Sequence, residues 1–205
     1  MRDLAQSEGG TPLGVSADGT VVVDAWRGGG RRGAVELNPA YTWAVKVHSG
    51  AWNVTLDLGG VHVSGVDIDS GTGNVTCTLP EPEGAVPIRV NSGIIGVALH
   101  RPAGTAVHAL VQQGSIRVKL DGKAMRMTGS DVQWRSQDPW DDNHYELTVH
   151  SGCVRVSMDA DAHARPRPPR APSADEQTVA TPQDPLAAAR LVLDGIAQRI
   201  GASRT

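Results

Sequence analysis

The sequence predicts an all-β protein. Glycine supplies 24 of 205 residues, phenylalanine is absent, and aromatic residues make up only 3%, so the apolar mass rests on Val, Leu, Ile and Ala. Chains of this composition suit many short strands joined by tight turns. The second observation is alternation. Val45/Val47, Val66/Ile68, Ile88/Val90 and Leu147/Val149 put apolar residues at every other position, with Lys, Asp, Arg and Thr between them. Period two sends one set inward and the other outward.

The third observation is an internal repeat, the feature that decides fold class when present. Ser49-Gly50, Ser70-Gly71, Ser92-Gly93, Gln113-Gly114 and Ser151-Gly152 each precede an alternating run: Val54-Thr55-Leu56, Val75-Thr76-Cys77, Val97-Ala98-Leu99, Val118-Lys119-Leu120 and Val156-Ser157-Met158. The first four turn sites are 21, 22 and 21 residues apart, and the fifth follows after 38, so one period carries an insertion. Glycine at each turn supplies backbone angles closed to other residues. Near-constant spacing with constant turn chemistry favours a single-stranded right-handed β-solenoid of 21–22-residue coils over the alternative, a β-sandwich, whose loops usually differ from one another.

The elements follow in order. Residues 1–16 read as a flexible N-terminus, and 17–160 as the solenoid domain. At its start, Thr20–Trp26 is strand-like, and a loop from Gly28 to Gly33 leads into Ala34-Val35-Glu36-Leu37, a short echo of the repeat. Residues 161–184, with Arg165-Pro166-Arg167-Pro168-Pro169-Arg170, read as an extended Pro/Arg-rich linker. Asp184-Pro185 is a helix start signal, and Leu186, Ala189, Leu193, Ile196 and Ile200 form one stripe at helical spacing, so 185–201 is expected to be an amphipathic helix ended by Gly201. With Gly195 in its interior such a helix is unstable alone and needs a docking surface.

Charge and cysteines narrow the function. The formal net charge of −3 excludes nucleic-acid binding by bulk charge and leaves only a local basic patch. Cys77 and Cys153, 76 residues apart, match no zinc or redox spacing. No apolar run reaches the roughly 18 residues of a membrane span, and no apolar signal region opens the chain. The expectation is a cytoplasmic protein.

Several motifs resemble a known family. Val86-Pro87-Ile88-Arg89-Val90-Asn91-Ser92-Gly93, His100-Arg101-Pro102-Ala103-Gly104, Leu120-Asp121-Gly122, Val132-Gln133-Trp134-Arg135-Ser136 and Tyr145–Gly152 occur in this order. Over roughly residues 44–160 the chain resembles the adhesin-named, domain-of-unknown-function β-solenoid family common in high-GC Gram-positive bacteria. That family is related in pattern to the C-terminal domain of cell-wall-stress-response proteins. The resemblance implies a solenoid fold and names no activity. This chain lacks the doubled glycine usual after the turn serine, having Ser92-Gly93-Ile94 and Ser151-Gly152-Cys153.

Each candidate site has a plainer role beside it. His48, Asp69, Asn91, Gln112 and His150 precede the turns. A His48–Asp69 pair could serve a metal or orient an imidazole, but no third ligand is fixed by spacing, and a hydrogen-bonded ladder is the simpler reading. Asp67 and Asp69, with Asp138, Asp141 and Asp142 of the insertion, lack the twelve-residue calcium loop. Asn53-Val54-Thr55 and Asn74-Val75-Thr76 satisfy the glycosylation pattern, but their Asn and Thr read as ordinary outward strand residues. Trp134, Trp140 and Tyr145 make the insertion the most aromatic stretch, suited either to covering the interrupted coil or to holding a partner or sugar. The expectation is therefore non-enzymatic: no catalytic residues, no cofactor and no metal. The chain would be a scaffold for a protein partner or for self-association, docking through Leu186, Leu193, Ile196 and Ile200 of the terminal helix, with Trp134, Trp140 and Tyr145 as a second surface. The alternative is an adhesin-like module binding cell-envelope carbohydrate.

Overall fold

A computed structural model describes residues 5–8, 13–15, 20–24, 33–48, 50–126, 129–140, 142–161, 189–194 and 198–202. They form eighteen strands in two nine-stranded sheets. The first half of the chain gives β1 (Ala5–Glu8), β2 (Leu13–Val15), β3 (Thr20–Asp24), β4 (Gly33–Leu37), β5 (Thr42–Val47), β6 (Val54–Asp57), β7 (His62–Ile68), β8 (Asn74–Thr78), β9 (Ala85–Val90) and β10 (Gly96–Pro102). Beyond it lie β11 (Ala106–Val111), β12 (Arg117–Leu120), β13 (Lys123–Arg126), β14 (Val132–Arg135), β15 (His144–Val149), β16 (Arg155–Asp161), β17 (Ala189–Asp194) and β18 (Gln198–Ala202).

One sheet runs β1-β4-β18-β6-β8-β10-β16-β12-β13, and the other β14-β11-β15-β9-β7-β5-β17-β3-β2. Interior strands pair in parallel; only the margins, β1 and β13 in one sheet and β14 and β2 in the other, pair antiparallel. A strand of the second sheet, a corner, and the next strand of the first sheet make one layer. Alternation places Val45, Val47, Val54, Leu56, Val66, Ile68, Val97 and Leu99 between the sheets in one continuous core. At the corners Gly50, Gly71, Gly93, Gly114 and Gly152 all have φ between 73° and 87°, the left-handed region where a side chain is strained.

Two expectations are corrected here. The layers are not wound in chain order and the strands form two sheets with antiparallel margins, so the fold is not the expected single-stranded right-handed β-solenoid. β15/β16 lie between β9/β10 and β11/β12, and β17/β18 lie between β3/β4 and β5/β6. There is also no helix among the described residues; Leu193 stands in β17 and Ile200 in β18, while Leu186 and Ile196 fall outside them. Leu191 is in register with Val21 and Val45, Leu193 with Val47, and Ile200 with Val35 and Leu56. The physical reason is that the same stretch carries a period-two pattern, Leu191/Leu193, beside the helical one. A slot between two strand edges in each sheet offers backbone partners on both sides, whereas a helix would keep Gly195 in its interior at a cost of about 1 kcal/mol.

Candidate functional site

The corner organises the surface, because equivalent residues of successive layers stack. Just before the corner, His48, Asp69, Asn91, His150 and Gln112 form a ladder. His48 Nδ1 lies 3.2 Å from Asp69 Oδ2, and Lys46 Nζ lies 3.6 Å from the same oxygen. Asn91 Nδ2 donates to Asp69 Oδ1 at 3.3 Å and to Asp67 Oδ1 at 2.8 Å. His150 Nδ1 is 3.2 Å from Gln112 Oε1. These bonds join His48, Asp69 and Asn91 in one group and His150 and Gln112 in another, linking the turns within each group.

Past the glycine the next residue points inward: Ala51, Thr72, Ile94, Cys153 and Ser115 are all buried. Thr72 Oγ1 and Ser115 Oγ donate to Asp69 O and Gln112 O, and Cys153 Sγ reaches His150 O at 3.2 Å. The residue after that points outward. Trp52, Ile95, Val154 and Ile116 are 40–44% exposed, and in the remaining layer Gly73 lies beneath Trp52, where a Cβ would come within 2.3 Å of Trp52 Cε3. Layer-to-layer bonds Ile95 N–Thr72 O, Val154 N–Ile94 O and Ile116 N–Cys153 O keep these residues in line. With a strand spacing of about 4.8 Å, the line is about 19 Å long.

The aromatic insertion divides. Tyr145 is fully buried and its hydroxyl donates to Pro80 O. Trp134 is partly buried against the core from β14. Trp140 alone of the three is outward, at 49% exposure. Its ring lies 4.2 Å from His144, edge-on to His108 at 6.4 Å, and under the Arg135 guanidinium at 5.0 Å. Glu146 lies 3.7 Å from His144.

Of the acidic candidates, Asp67, Asp69 and Asp138 are held by other groups. Asp138 Oδ2 accepts from Arg101 Nη2 at 2.8 Å, and Asn143 Oδ1 accepts from Gly84 N at 2.9 Å. Asp141 lies outside the described residues, and Asp142 is exposed. No group of three His, Cys, Asp or Glu among the described residues is placed to hold a metal ion. Both cysteines are free and buried, and burial pushes their thiols up, Cys77 most strongly, so neither is a ready nucleophile. Asn74 Nδ2 donates to Asn53 Oδ1 at 3.2 Å, another layer-to-layer link.

Sequence reasoning missed Arg101. It is 1% exposed, with Nη1 donating to Thr105 O at 2.7 Å and Nη2 to Asp121 Oδ2 at 2.6 Å as well as to Asp138. One buried cation therefore ties three turns. Its offset from the corner glycine would have exposed it: the same position is Leu58 and Leu79 in the two preceding layers, both buried. The apolar line was legible in the same way, two residues after four of the five corner glycines.

Residues 23–100 match the family model described as the N-terminal domain of toast_rack, DUF2154. The match is consistent with a domain of unknown function built from repeated β-structure; links to adhesins and to cell-wall stress do not follow from it. No curated protein and no solved structure matches the chain.

Proposed function

We propose that this chain is a non-catalytic scaffold that presents its corner to a protein partner. The observation that carries the reading is the line of Trp52, Ile95, Val154 and Ile116. Single exposed apolar side chains need no explanation, but exposed apolar residues at one equivalent position in four of five adjoining layers form a contiguous feature. The turn does not require them, since Gly73 occupies the position in the fifth layer. Covering the line would remove apolar surface from water, with Trp52 as the large anchor that such interfaces favour. The docking role expected of a terminal helix thus passes to the corner.

Carbohydrate binding is the second reading and rests on exposed Trp140 with polar His108, His144 and Glu146 around it. It ranks second because Arg135 and His144 already engage that ring.

The test is a photo-crosslinking residue placed at Trp52, Ile95 or Val154 in cells expressing the chain, with Arg89 and Thr55 as control positions. Discrete protein adducts from the corner alone are expected. Equal adducts at every position, or none at the corner, would sink the reading.

A further inference from the structure

The apolar line runs into a row of cations at one end. Arg155, Arg117 and Arg126 are in register on the neighbouring strands β16, β12 and β13, about 4.8 Å apart. Val156, Val118 and Leu120 point into the core, so Arg155, Arg117 and Lys119 occupy the outer face, and all four cations are exposed. Among the described residues no carboxylate pairs with any of them. The carboxylates closest along the same strands are committed elsewhere: Asp159 lies 2.6 Å from His100 Nδ1, and Asp121 pairs with Arg101. Like charges side by side on adjacent strands disfavour the fold. Three guanidinium groups in one row, in a chain of net charge −3, are therefore unexplained by stability.

Val154 and Ile116 immediately precede Arg155 and Arg117, and Ile95 lies in the next layer. We infer that this end of the corner receives an acidic, apolar-studded segment of a protein partner, an inference that rests on the scaffold reading. Apolar side chains of the segment cover Ile95, Val154 and Ile116, and its carboxylates meet Arg155, Arg117 and Arg126. Arginine suits this role because its planar fork matches a carboxylate with two parallel hydrogen bonds. A polynucleotide fits less well: stacking on aromatic side chains is what single strands use, and Trp52 stands three layers away from Arg155.

The experiment measures binding of the full chain to a labelled synthetic peptide alternating leucine and glutamate, beside an all-glutamate peptide, single-stranded DNA and phosphatidylglycerol vesicles. The leucine–glutamate peptide is expected to bind tightest. Arg117→Gln with Arg155→Gln should weaken it about tenfold or more and flatten its salt dependence. Ile116→Ser with Val154→Ser should weaken it comparably with the salt dependence kept. All four side chains are exposed, and the arginine variant relieves like-charge repulsion, so neither variant's thermal melt should fall, which reports that folding is intact. Absence of binding, equal binding to the arginine variant, or tighter binding of DNA, vesicles or the all-glutamate peptide overturns the inference. The two readings separate through the crosslinks: if corner adducts form and persist at full yield in the arginine variant, the scaffold reading stands and the acidic-segment inference falls. If corner adducts never form, both fall.

Discussion

From Thr42 to Pro102 the chain lays down three layers in order, each strand pairing with its counterpart one repeat later. From Ala106 to Asp161 it skips a place, builds the end layer β11/β12, reverses through β13 and β14 along the margins, and only then fills the gap with β15/β16. Yet the corners of the two regions are alike. Gly114 and Gly152 share the left-handed φ of Gly71 and Gly93, and the column of glycines passes unbroken from one region to the other. The shape of a layer is thus set locally by its corner, while its place in the stack is set by the connections. In the second region those connections include the tight Asp121-Gly122 reversal, with φ of 44° and 81°, and the segment after β14 that carries Asp138. Arg101 ties both: Leu58 and Leu79 fill the equivalent core position in the ordered layers, and Arg101 replaces them where the order breaks.

The largest expected effect comes from ending the chain at Asp161. β17 pairs with both β3 and β5, and β18 with both β4 and β6, so truncation leaves facing strand edges unpaired and detaches the first layer. The truncated protein should lose at least about 4 kcal/mol, roughly 10 °C or more in Tm, and self-associate in sedimentation. An unchanged melt would show that the C-terminal strands are dispensable to the stack.

Replacing Arg101 by Leu makes this layer resemble its ordered neighbours in composition. It also strands Asp121 and Asp138, whose side chains are 27% and 23% exposed and can partly rehydrate. A cost of about 3 kcal/mol is expected in denaturant melts, with faster proteolysis confined to 136–143. Adding Asp121→Asn and Asp138→Asn should recover part of it. Full stability of Arg101→Leu alone would mean that the reversal holds without its cation.

The smallest effect tests the likeness of the corners. Gly93→Ala and Gly114→Ala each force a side chain into the left-handed region, where a Cβ meets nothing closer than 3.9 Å and 3.7 Å respectively. Each should therefore cost only backbone strain, about 1–2 kcal/mol, and the two should agree. Unequal melts would show that the corners of the two regions are not equivalent.

Much of this architecture is legible in the order of residues. Turn spacing locates the corner glycines, and period two identifies Val54, Val75, Val97, Val118 and Val156, all buried. The polar column from His48 to Gln112 is visible as a ladder. Position within the repeat also marks Arg101, Trp52, Ile95, Val154 and Ile116, a signal that composition and motif spacing pass over. Trp134 and Tyr145 cannot be told from Trp140 by composition, since an aromatic residue serves equally as core, cover or platform until its neighbours are known. The arginine row is hidden for another reason: Arg117 and Arg155 become neighbours only because β16 is inserted beside β12, and Arg126 joins them through an antiparallel margin.

By itself the sequence determined the local unit: two alternating strands, a glycine corner between them, and an apolar face turned inward. These follow from backbone sterics and side-chain period, which act over a few residues. Tertiary structure alone decided which units are neighbours, and it decided the fate of residues 189–194 and 198–202. Their pattern suits a helix or two strands almost equally, so the choice fell to backbone hydrogen bonds offered by the open edges of β3, β4, β5 and β6, partners more than a hundred residues away.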